Sequence, residues 1–491
     1  MFEKVKESIA NKMRSFLKIY TANGQNFTIN ELLDFDSNVA VNKIWYRGES
    51  YELIQLYRQL DDGQFGFWGS VPTAGIEIRK IHTGLPKTIV NTLSGVICDD
   101  MQDVEFSTEE NNILWHEIAE ENTFDVLVKD AVSKTLYTGD GAFKISIDTD
   151  ISQLPIVEFF EADRINVVRK RGRITEIVFK TSYSHNGNSY YLYEHYGKGY
   201  IRYELKDKYD KVVELDATPT TAGLVDVEWA GEFMMAEYVS FYSSDKWNGR
   251  GQSIFDAKRD NFDAVDEAWS QWMDALRAGR TKVYIPENMI HRDVNTGALM
   301  KPNAFDNRFI KMAADLSENN SGKIDTESAT IQHESYLSTY VTALDLCLQG
   351  IISPSTLGID MKKLDNAEAQ REKEKATLYT RQTIVAELQR VLPALIRDIF
   401  NAYQTLVKIP LEDVECDVTF GEYANPSFES QVETVGKAKT QGIMSIEASV
   451  DELYGDSRDD EWKKKEVARL KAEQGIVDGV TEPALNTEVI V

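Results

Sequence analysis

The histidines are the first residues in this sequence that could hold a metal. His116-Glu117 is followed by Glu120, so the second histidine that a zinc-protease helix needs four residues after the first is absent. The remaining histidines are His82, His185, His195, His291 and His333. None of them stands at a ligand spacing from another, so we predict no metal site.

Adjacent acidic residues could carry out acid–base catalysis. The pairs are Asp61-Asp62, Asp99-Asp100 and Asp459-Asp460. Such pairs are expected by chance in a chain with 80 acidic residues, and solvated surface acids are their more common role. The sequence therefore favours a protein that is not an enzyme, with a hydrolase using one of these pairs as the competing hypothesis.

No motif for holding a nucleotide phosphate is present. The chain lacks G-x-x-x-x-G-K-[ST], and Gly139-Asp140-Gly141 is typical of a tight turn that leads into a strand. The three cysteines, Cys98, Cys347 and Cys416, are far apart and odd in number, which predicts neither a disulfide framework nor a zinc site. We expect no cofactor.

The composition is that of a folded protein with a strong negative charge. Of 491 residues, 42% are hydrophobic and 27% charged, and the net charge is −26. A field of this sign repels phosphate, so tight binding of nucleic acid by the chain as a whole is disfavoured. No apolar run approaches the length of a membrane span, and no apolar signal core follows Met1, so we expect an intracellular protein without membrane contact.

Hydrophobic periodicity predicts an α+β fold. Apolar residues recur at helical steps over 49–60, 85–98, 108–121, 123–138, 253–278 and 336–348. Strand-like alternation recurs between about 142 and 241, with hairpin turns expected at Arg171-Gly172 and Asn186-Gly187. Three further helices are expected over 430–440, 445–453 and 459–472.

The segment from Ile351 to Leu406 predicts the longest helix. The breakers Ser353-Pro354-Ser355 and Gly358 precede a charged run, and an apolar stripe then continues to Leu406. These features indicate one helix of roughly 40 residues with a kink near Pro393. Because its first half is polar on all sides, it is either a scaffold helix or one whose charged end faces a water-filled space.

Six short segments form a pattern that extends over nearly the whole chain. They are Trp45-Tyr46-Arg47-Gly48-Glu49, Lys87-Thr88-Ile89-Val90-Asn91, Tyr137-Thr138-Gly139-Asp140-Gly141-Ala142-Phe143, Gly249-Arg250-Gly251-Gln252-Ser253, Ile352-Ser353-Pro354-Ser355-Thr356-Leu357-Gly358 and Gln441-Gly442-Ile443-Met444-Ser445. In this order they resemble the portal proteins of tailed bacteriophages, especially those of long-tailed phages with Gram-positive hosts.

The resemblance implies a division of the chain into the regions of that family. These are an N-terminal helical segment 1–45, an α+β wing 46–250, a first stem helix 251–278, a small α/β clip 279–333, a second stem helix 334–352, a tunnel loop 353–366, a long kinked helix with a return strand 367–428, and a helical crown 429–491.

The resemblance also implies a function and partners. The family forms a homo-oligomeric ring, dodecameric in the capsid, at one capsid vertex of the virion. Double-stranded DNA passes through the ring without sequence specificity during genome packaging and ejection. The implied protein partners are the terminase large subunit, a head-completion adaptor, and scaffolding and major capsid proteins. The resemblance also implies that the protein is made in the cytoplasm of the host bacterium.

Physical reasoning from the residues agrees with this role. A DNA conduit needs a wall that does not retain phosphates, because each neutralised phosphate adds affinity, and a net charge of −26 meets that need. The heterologous contacts between subunits must close into a ring. Long charged helices are suited to a wall that neighbouring subunits share. Another ring-forming head–tail connector remains an alternative function.

Candidate site residues come from the loop and the helices beside it. Lys362 and Lys363 are expected to come nearest to DNA. Arg371, Lys373 and Lys375 are further candidates, although ion pairs with neighbouring glutamates on the same helix are the more common role of such residues. Trp269 and Trp272 are expected to pack at a subunit interface or within the stem rather than to stack on bases.

Overall fold

The computed structural model describes eleven stretches of the chain. They are residues 33–60, 66–71, 78–280, 282–286, 309–312, 325–327, 331–359, 367–411, 414–421, 428–454 and 460–473. The chain divides into two compact units, one up to Phe420 and one from Gly421 onward. Helices and antiparallel sheets share the first unit, which confirms the α+β class.

Helices precede the sheets in the first unit. They are α1 Phe35–Arg47, α2 Ser50–Gln59, α3 Leu85–Cys98, α4 Glu109–Asn122 and α5 Phe124–Thr138. The bounds of α3 are those expected from Pro86 near its first turn. In α2, Leu53 is the buried residue, whereas Tyr51 is 59% exposed.

Helix α1 crosses the expected boundary between residues 45 and 46. It begins where the Asp34 side chain accepts a hydrogen bond from the Ser37 amide at 2.7 Å, and it ends at Gly48 in the left-handed conformation. Trp45 is fully buried in the same core as α3 and α5. The helix expected nearer the N-terminus lies outside the described residues.

Two antiparallel sheets follow the helices. Strands β2 Asp140–Ser146, β3 Ile156–Glu161 and β10 Ala236–Ser240 form one sheet in the order β10-β2-β3. The second sheet has the order β4-β5-β6-β7-β8, with β9 paired to β7. Its strands are β4 Ile165–Lys170, β5 Arg173–His185, β6 Asn188–Gly197, β7 Tyr200–Asp207, β8 Val212–Val213 and β9 Val227–Glu228. Both expected hairpin turns are confirmed, because each joins neighbouring strands of this sheet.

Two helices flank a small sheet in the next part of the chain. Helix α6 spans Arg259–Ala278 and packs against α7, which spans His333–Leu348. Between them, β11 Lys282–Pro286 pairs in parallel with β12 Phe309–Met312 and antiparallel with β13 Asp325–Glu327. The expected start of α6 at Ser253 was wrong, because residues 253–258 form turns in which Ala257 has a φ of 61°.

The longest helix, α8, spans Ala367–Val407 and is 41 residues long, which confirms the expected length. It continues through Pro393. Its apolar stripe includes the fully buried Ile384, Val391 and Ile399 and packs against α3 and β10. After α8, β14 Cys416–Asp417 pairs antiparallel with β1 Glu105–Phe106.

The second unit contains three helices in its described residues. They are α9 Phe428–Thr440, α10 Ile446–Tyr454 and α11 Asp460–Glu473, close to the expected ranges. Lys471 on α11 reaches Glu447 on α10 at 2.7 Å, and the rings of Tyr454 and Trp462 meet edge to face at 5.1 Å.

Candidate functional site

The start of the expected tunnel loop is held by threonine hydroxyl groups of α8. Thr377 on α8 is fully buried, and its hydroxyl accepts a hydrogen bond from the Ser353 amide at 2.9 Å and lies 2.8 Å from the Thr356 hydroxyl. One turn later, the Thr380 hydroxyl donates to the Ile351 carbonyl at 2.7 Å. Residues 351–356 are therefore fastened directly to the helix that follows the loop.

Arg381 fastens the same part of α8 to the end of α3. Its side chain is 8% exposed and donates to the Asp100 carboxylate at 3.1 Å. Thr377, Thr380 and Arg381 are thus buried polar residues with hydrogen-bond partners inside the protein, whereas Tyr379 between them is 64% exposed, so this turn of α8 is not solvated on all sides. The neighbouring Asp99 pairs with Lys129 at 2.7 Å, and the two carboxylates of this acidic pair serve separate ion pairs.

The expected DNA-proximal cations are only partly within the described residues. Lys362 and Lys363 lie outside them. The backbone at Arg371 and Lys373 belongs to α8, while their side chains lie outside the described part of the chain. Lys375 is exposed near the start of the helix. Their role towards DNA therefore stays a prediction.

The two tryptophans of α6 pack within one chain. Trp269 and Trp272 meet edge to face at 5.8 Å, and their rings lie 5.6 and 6.3 Å from Tyr340 on α7. Both indoles are partly buried, so they join the two helices that flank the small sheet. The assignment of these helices to the stem and a contact of the tryptophans with another subunit both stay predictions.

Asp266 is a buried carboxylate with a structural role that the sequence did not single out. It is fully buried on α6, and one carboxylate oxygen accepts from the Thr83 amide and hydroxyl, both at 2.8 Å. The other oxygen lies 2.6 Å from Nδ1 of His82 and accepts from Nε1 of Trp68 at 3.2 Å. The signal was its position four residues after Phe262, which places it on the apolar face of the helix.

Asp263, one turn before Asp266, accepts hydrogen bonds from the amides of Phe67 and Trp68 at 2.7 and 3.2 Å. Burial raises its pKa, and these two amides oppose that shift. Asp263 and Asp266 together fix α6 to Phe67, Trp68, His82 and Thr83.

Asp140 and Arg250 join two of the motifs noted in the sequence. Asp140 is fully buried and accepts from Nε and Nη2 of Arg250, both at 2.8 Å, and from the Gly251 amide at 2.7 Å. The Tyr238 hydroxyl donates to it at 2.9 Å. This planar two-bond pairing suits a guanidinium and not an ammonium group.

The glycines beside these charges allow the two backbones to meet. A Cβ at Gly139 would lie 2.9 Å from the Gly251 carbonyl oxygen, and Gly139 has a φ of 107°. Arg250 also donates to the carbonyls of Ala162 and Ile165, at 2.7 and 3.3 Å. The two glycine-flanked segments therefore join the first sheet to the chain that leads into α6.

A cleft between β10 and α8 contains two poorly partnered carboxyl groups. Burial raises the pKa of Glu237 to about 7, although Arg390 and Arg397 oppose the shift. Burial, together with the charge of Glu237, also raises the pKa of Asp398 to about 7. The cleft has a volume of about 420 Å³ and is lined by both residues.

The described part of the chain shows neither a metal-binding cluster nor a membrane-spanning helix. Within it, no three histidine, cysteine or acidic side chains come together as metal ligands would. None of the helices described above is both long and apolar enough to cross a bilayer.

The sequence matches one protein-family model over most of its length. The model is described as "Phage portal protein, SPP1 Gp6-like", and the match covers residues 37–476. No curated protein matches the chain.

Distant likenesses to solved structures also occur. The chain is similar to a chain of "Neck of native GTA particle computed with C12 symmetry", at 13% identity and a TM-score of 0.40, covering 75% of this chain and 89% of that one. It is similar to a chain of "Neck of empty GTA particle computed with C6 symmetry", at 14% identity and a TM-score of 0.41, covering 76% and 90%. Both are weak likenesses.

Proposed function

The chain belongs to the SPP1 Gp6-like family of phage portal proteins, and from this premise we propose that its copies close into a ring whose central opening is the path of the viral genome. Membership makes the protein a component of the phage particle and a structural connector, not an enzyme. The family match over residues 37–476 carries the proposal, because it includes both flanking helices, the small sheet and the long helix.

The proposed regions follow the described elements. The body that ends near residue 250 is the wing, α6 and α7 are the stem, and the sheet of β11, β12 and β13 belongs to the clip. The three helices of the second unit belong to the crown. In support, α6 and α7 pack along each other and carry exposed apolar side chains, which suit contacts between copies in a closed ring. These are Leu276, Leu337 and Leu346, at 40%, 44% and 47% exposure.

The proposed DNA path runs beside the tunnel loop at 353–366. The hydrogen bonds at Thr377 and Thr380 support this assignment, because they give the loop a fixed base from which to reach an open space. The negative charge of the whole chain supports a path along which DNA slides without being retained. Lys362 and Lys363 are the cations proposed to come nearest to the phosphates.

The proposed partners are those of a portal. The clip docks the terminase large subunit during packaging and a head-completion adaptor afterwards, while scaffolding and major capsid proteins bind elsewhere. The ring is proposed to be a dodecamer at one capsid vertex, assembled after synthesis in the bacterial cytoplasm.

Images of the purified protein along its symmetry axis, with the mass of the particle in solution, test the ring. We expect a particle many times heavier than the 55.8 kDa chain, with a central opening. A compact monomer without an opening at every protein and salt concentration tried would contradict the proposal.

The double variant Lys362→Glu with Lys363→Glu tests the DNA path. We expect rings to form normally, while packaging or retention of DNA changes because each substitution replaces attraction for phosphate by repulsion. The control is the same exchange at Lys464 and Lys465 on α11. Unchanged genome length and phage yield in the loop variant would remove these lysines from the path.

A further inference from the structure

The sheet of strands β4 to β8 is a basic region in an acidic protein. Residues 165–213 contain ten lysine and arginine residues and five aspartate and glutamate residues, whereas the whole chain has 54 and 80. The positive charge is therefore concentrated in one module of the body. A local excess of this kind attracts anions even when the net charge of the protein repels them.

Three cations of this module meet at one hairpin tip. Lys170, Arg171 and Arg173 surround the turn between β4 and β5, and all three side chains are exposed. None of the described residues forms an ion pair with them. Arg169 differs, since its guanidinium donates to the Gly249 carbonyl at 3.2 Å and lies over the Tyr238 ring at 5.1 Å. We call Lys170, Arg171 and Arg173 the basic tip.

The next hairpin of the same sheet shows that the basic tip is a poor choice for stability alone. The turn between β5 and β6 is Asn186-Gly187, with φ values of 50° and 75°. The tip has nearly the same backbone, with φ values of 50° and 80° at Arg171 and Gly172. Asparagine is favoured in this left-handed position and arginine is not.

The residues that flank the two turns also make the basic tip the less stable of the two. At the neutral turn, His185 is opposite Asn188, whereas at the basic tip Lys170 is opposite Arg173. Like charges placed directly across a strand pair are destabilising. A bound anion would remove this repulsion, so the tip is better suited to a complex than to the isolated chain.

The surroundings of the tip favour a phosphate backbone over a protein surface. Stable protein interfaces need an apolar centre. Among the described residues of β4 and of its neighbours β5 and β6, no large hydrophobic side chain is exposed; the exposed Val212 and Val227 lie on β8 and β9, farther along the sheet. Contacts to DNA phosphates need only cations and hydrogen-bond donors. We propose that the basic tip binds the phosphate backbone of double-stranded DNA without regard to sequence.

This inference rests on the proposed function, which brings DNA to the protein, and adds a contact on a different element from the tunnel loop. Three phosphate contacts give weak, salt-sensitive binding. The affinity should fall about 40-fold between about 50 and 200 mM salt, which is compatible with DNA that moves past the tip.

The test measures binding of the full-length protein to a short fluorescently labelled DNA duplex over a range of salt concentrations. The variant is Lys170→Gln, Arg171→Asn and Arg173→Gln, which gives the tip the favoured Asn-Gly turn and should leave the thermal midpoint unchanged or raised. The matched control, Arg202→Gln with Lys208→Gln and Lys211→Gln, removes three cations from the same sheet.

We expect the tip variant to lose most of the binding at low salt and to show a slope of log K against log salt about one unit smaller for each cation removed. The control should bind like the original protein. Equal binding by the tip variant, or equal loss in the control, would overturn the proposal. If the tip variant binds DNA normally but no longer forms rings, the basic tip contacts a neighbouring copy of the chain. That result would also overturn the proposal.

Failure of this inference is distinct from failure of the proposed function. If rings with a central opening form and the tip variant binds DNA normally, only the basic tip is wrong. If no ring forms from the original protein, the proposed function is wrong whatever the tip binds.

Discussion

Two regions of the body bury carboxylates and use them in opposite ways. At the junction of β2 with Arg250 and Gly251, Asp140 accepts four hydrogen bonds. On α6, Asp266 also accepts four, counting the contact to His82. In the cleft between β10 and α8, burial dominates, and the pKa values of Glu237 and Asp398 rise to about 7. Burial alone therefore does not determine how a carboxyl group behaves. The number of hydrogen-bond donors around the group decides it.

The largest expected effect on the free energy of unfolding comes from replacing Arg250, the cation that pairs with Asp140. Arg250→Met leaves Asp140 buried without its guanidinium partner, and breaking a buried pair in this way costs about 3–5 kcal/mol of unfolding free energy. Urea denaturation measures the loss. Arg202, whose pairing with Glu228 is exposed, provides the control through Arg202→Met, which should change stability by less than about 1 kcal/mol. Similar losses in both variants would contradict the distinction between the regions.

The second effect should appear at α6. Asp266→Asn replaces one accepting oxygen by a donor that faces the donors of Thr83, His82 or Trp68, and we expect about 3 kcal/mol of destabilisation. Asp260→Asn removes an exposed acid from the same helix and should change the unfolding free energy by at most about 0.5 kcal/mol. If Asp266→Asn unfolds at the original urea concentration, its hydrogen bonds do not hold the helix.

The third effect is a pH dependence that arises from the cleft. Because the folded-state pKa of Glu237 is raised to about 7, the folded chain holds a proton that the unfolded chain releases near pH 4.5. The contribution of this proton to the free energy of unfolding should therefore be fully present below about pH 4.5. It should decrease as the pH rises to about 7 and make no further change above that pH.

Glu237→Gln removes the part of this pH dependence that Glu237 contributes, while the part from Asp398 remains. At pH 8 the variant should be more stable than the original by on the order of 2 kcal/mol, with no difference at pH 4.5, as measured by urea denaturation at each pH. The exposed Glu214→Gln is the control and should follow the original curve. Parallel curves for the original and Glu237→Gln would show that the cleft acid is well partnered after all.

The smallest effect tests the junction atom by atom. Tyr238→Phe removes one of the four hydrogen bonds to Asp140 and keeps the ring, so we expect about 1 kcal/mol of destabilisation. In the Arg250→Met background the same substitution should cost more, since the phenol is then one of only two remaining donors. Additive effects in the double variant, measured by urea denaturation, would mean that the donors act independently.

The local elements of this fold could be predicted from the sequence, while the buried acids could not. Residues that are close in the sequence determine the helical periodicity of α3 and the length of α8. They also determine the hairpins at Arg171-Gly172 and Asn186-Gly187. Asp140 and Arg250 are 110 residues apart, and no spacing rule connects them. The start of α6 was missed because Ala257 adopts a left-handed conformation that its residue type does not favour.

The pairing of β1 with β14 has a consequence for the order in which the protein becomes complete during translation. The register joins Phe106 to Cys416, and Phe106 contacts Phe400 with ring centres 5.1 Å apart. A ribosome adding about 5–20 residues per second needs roughly 20–80 s to reach the last of these residues. Until then, Phe106 and Trp115 lack the apolar partners on α8 that later cover them, so the nascent chain needs protection from aggregation.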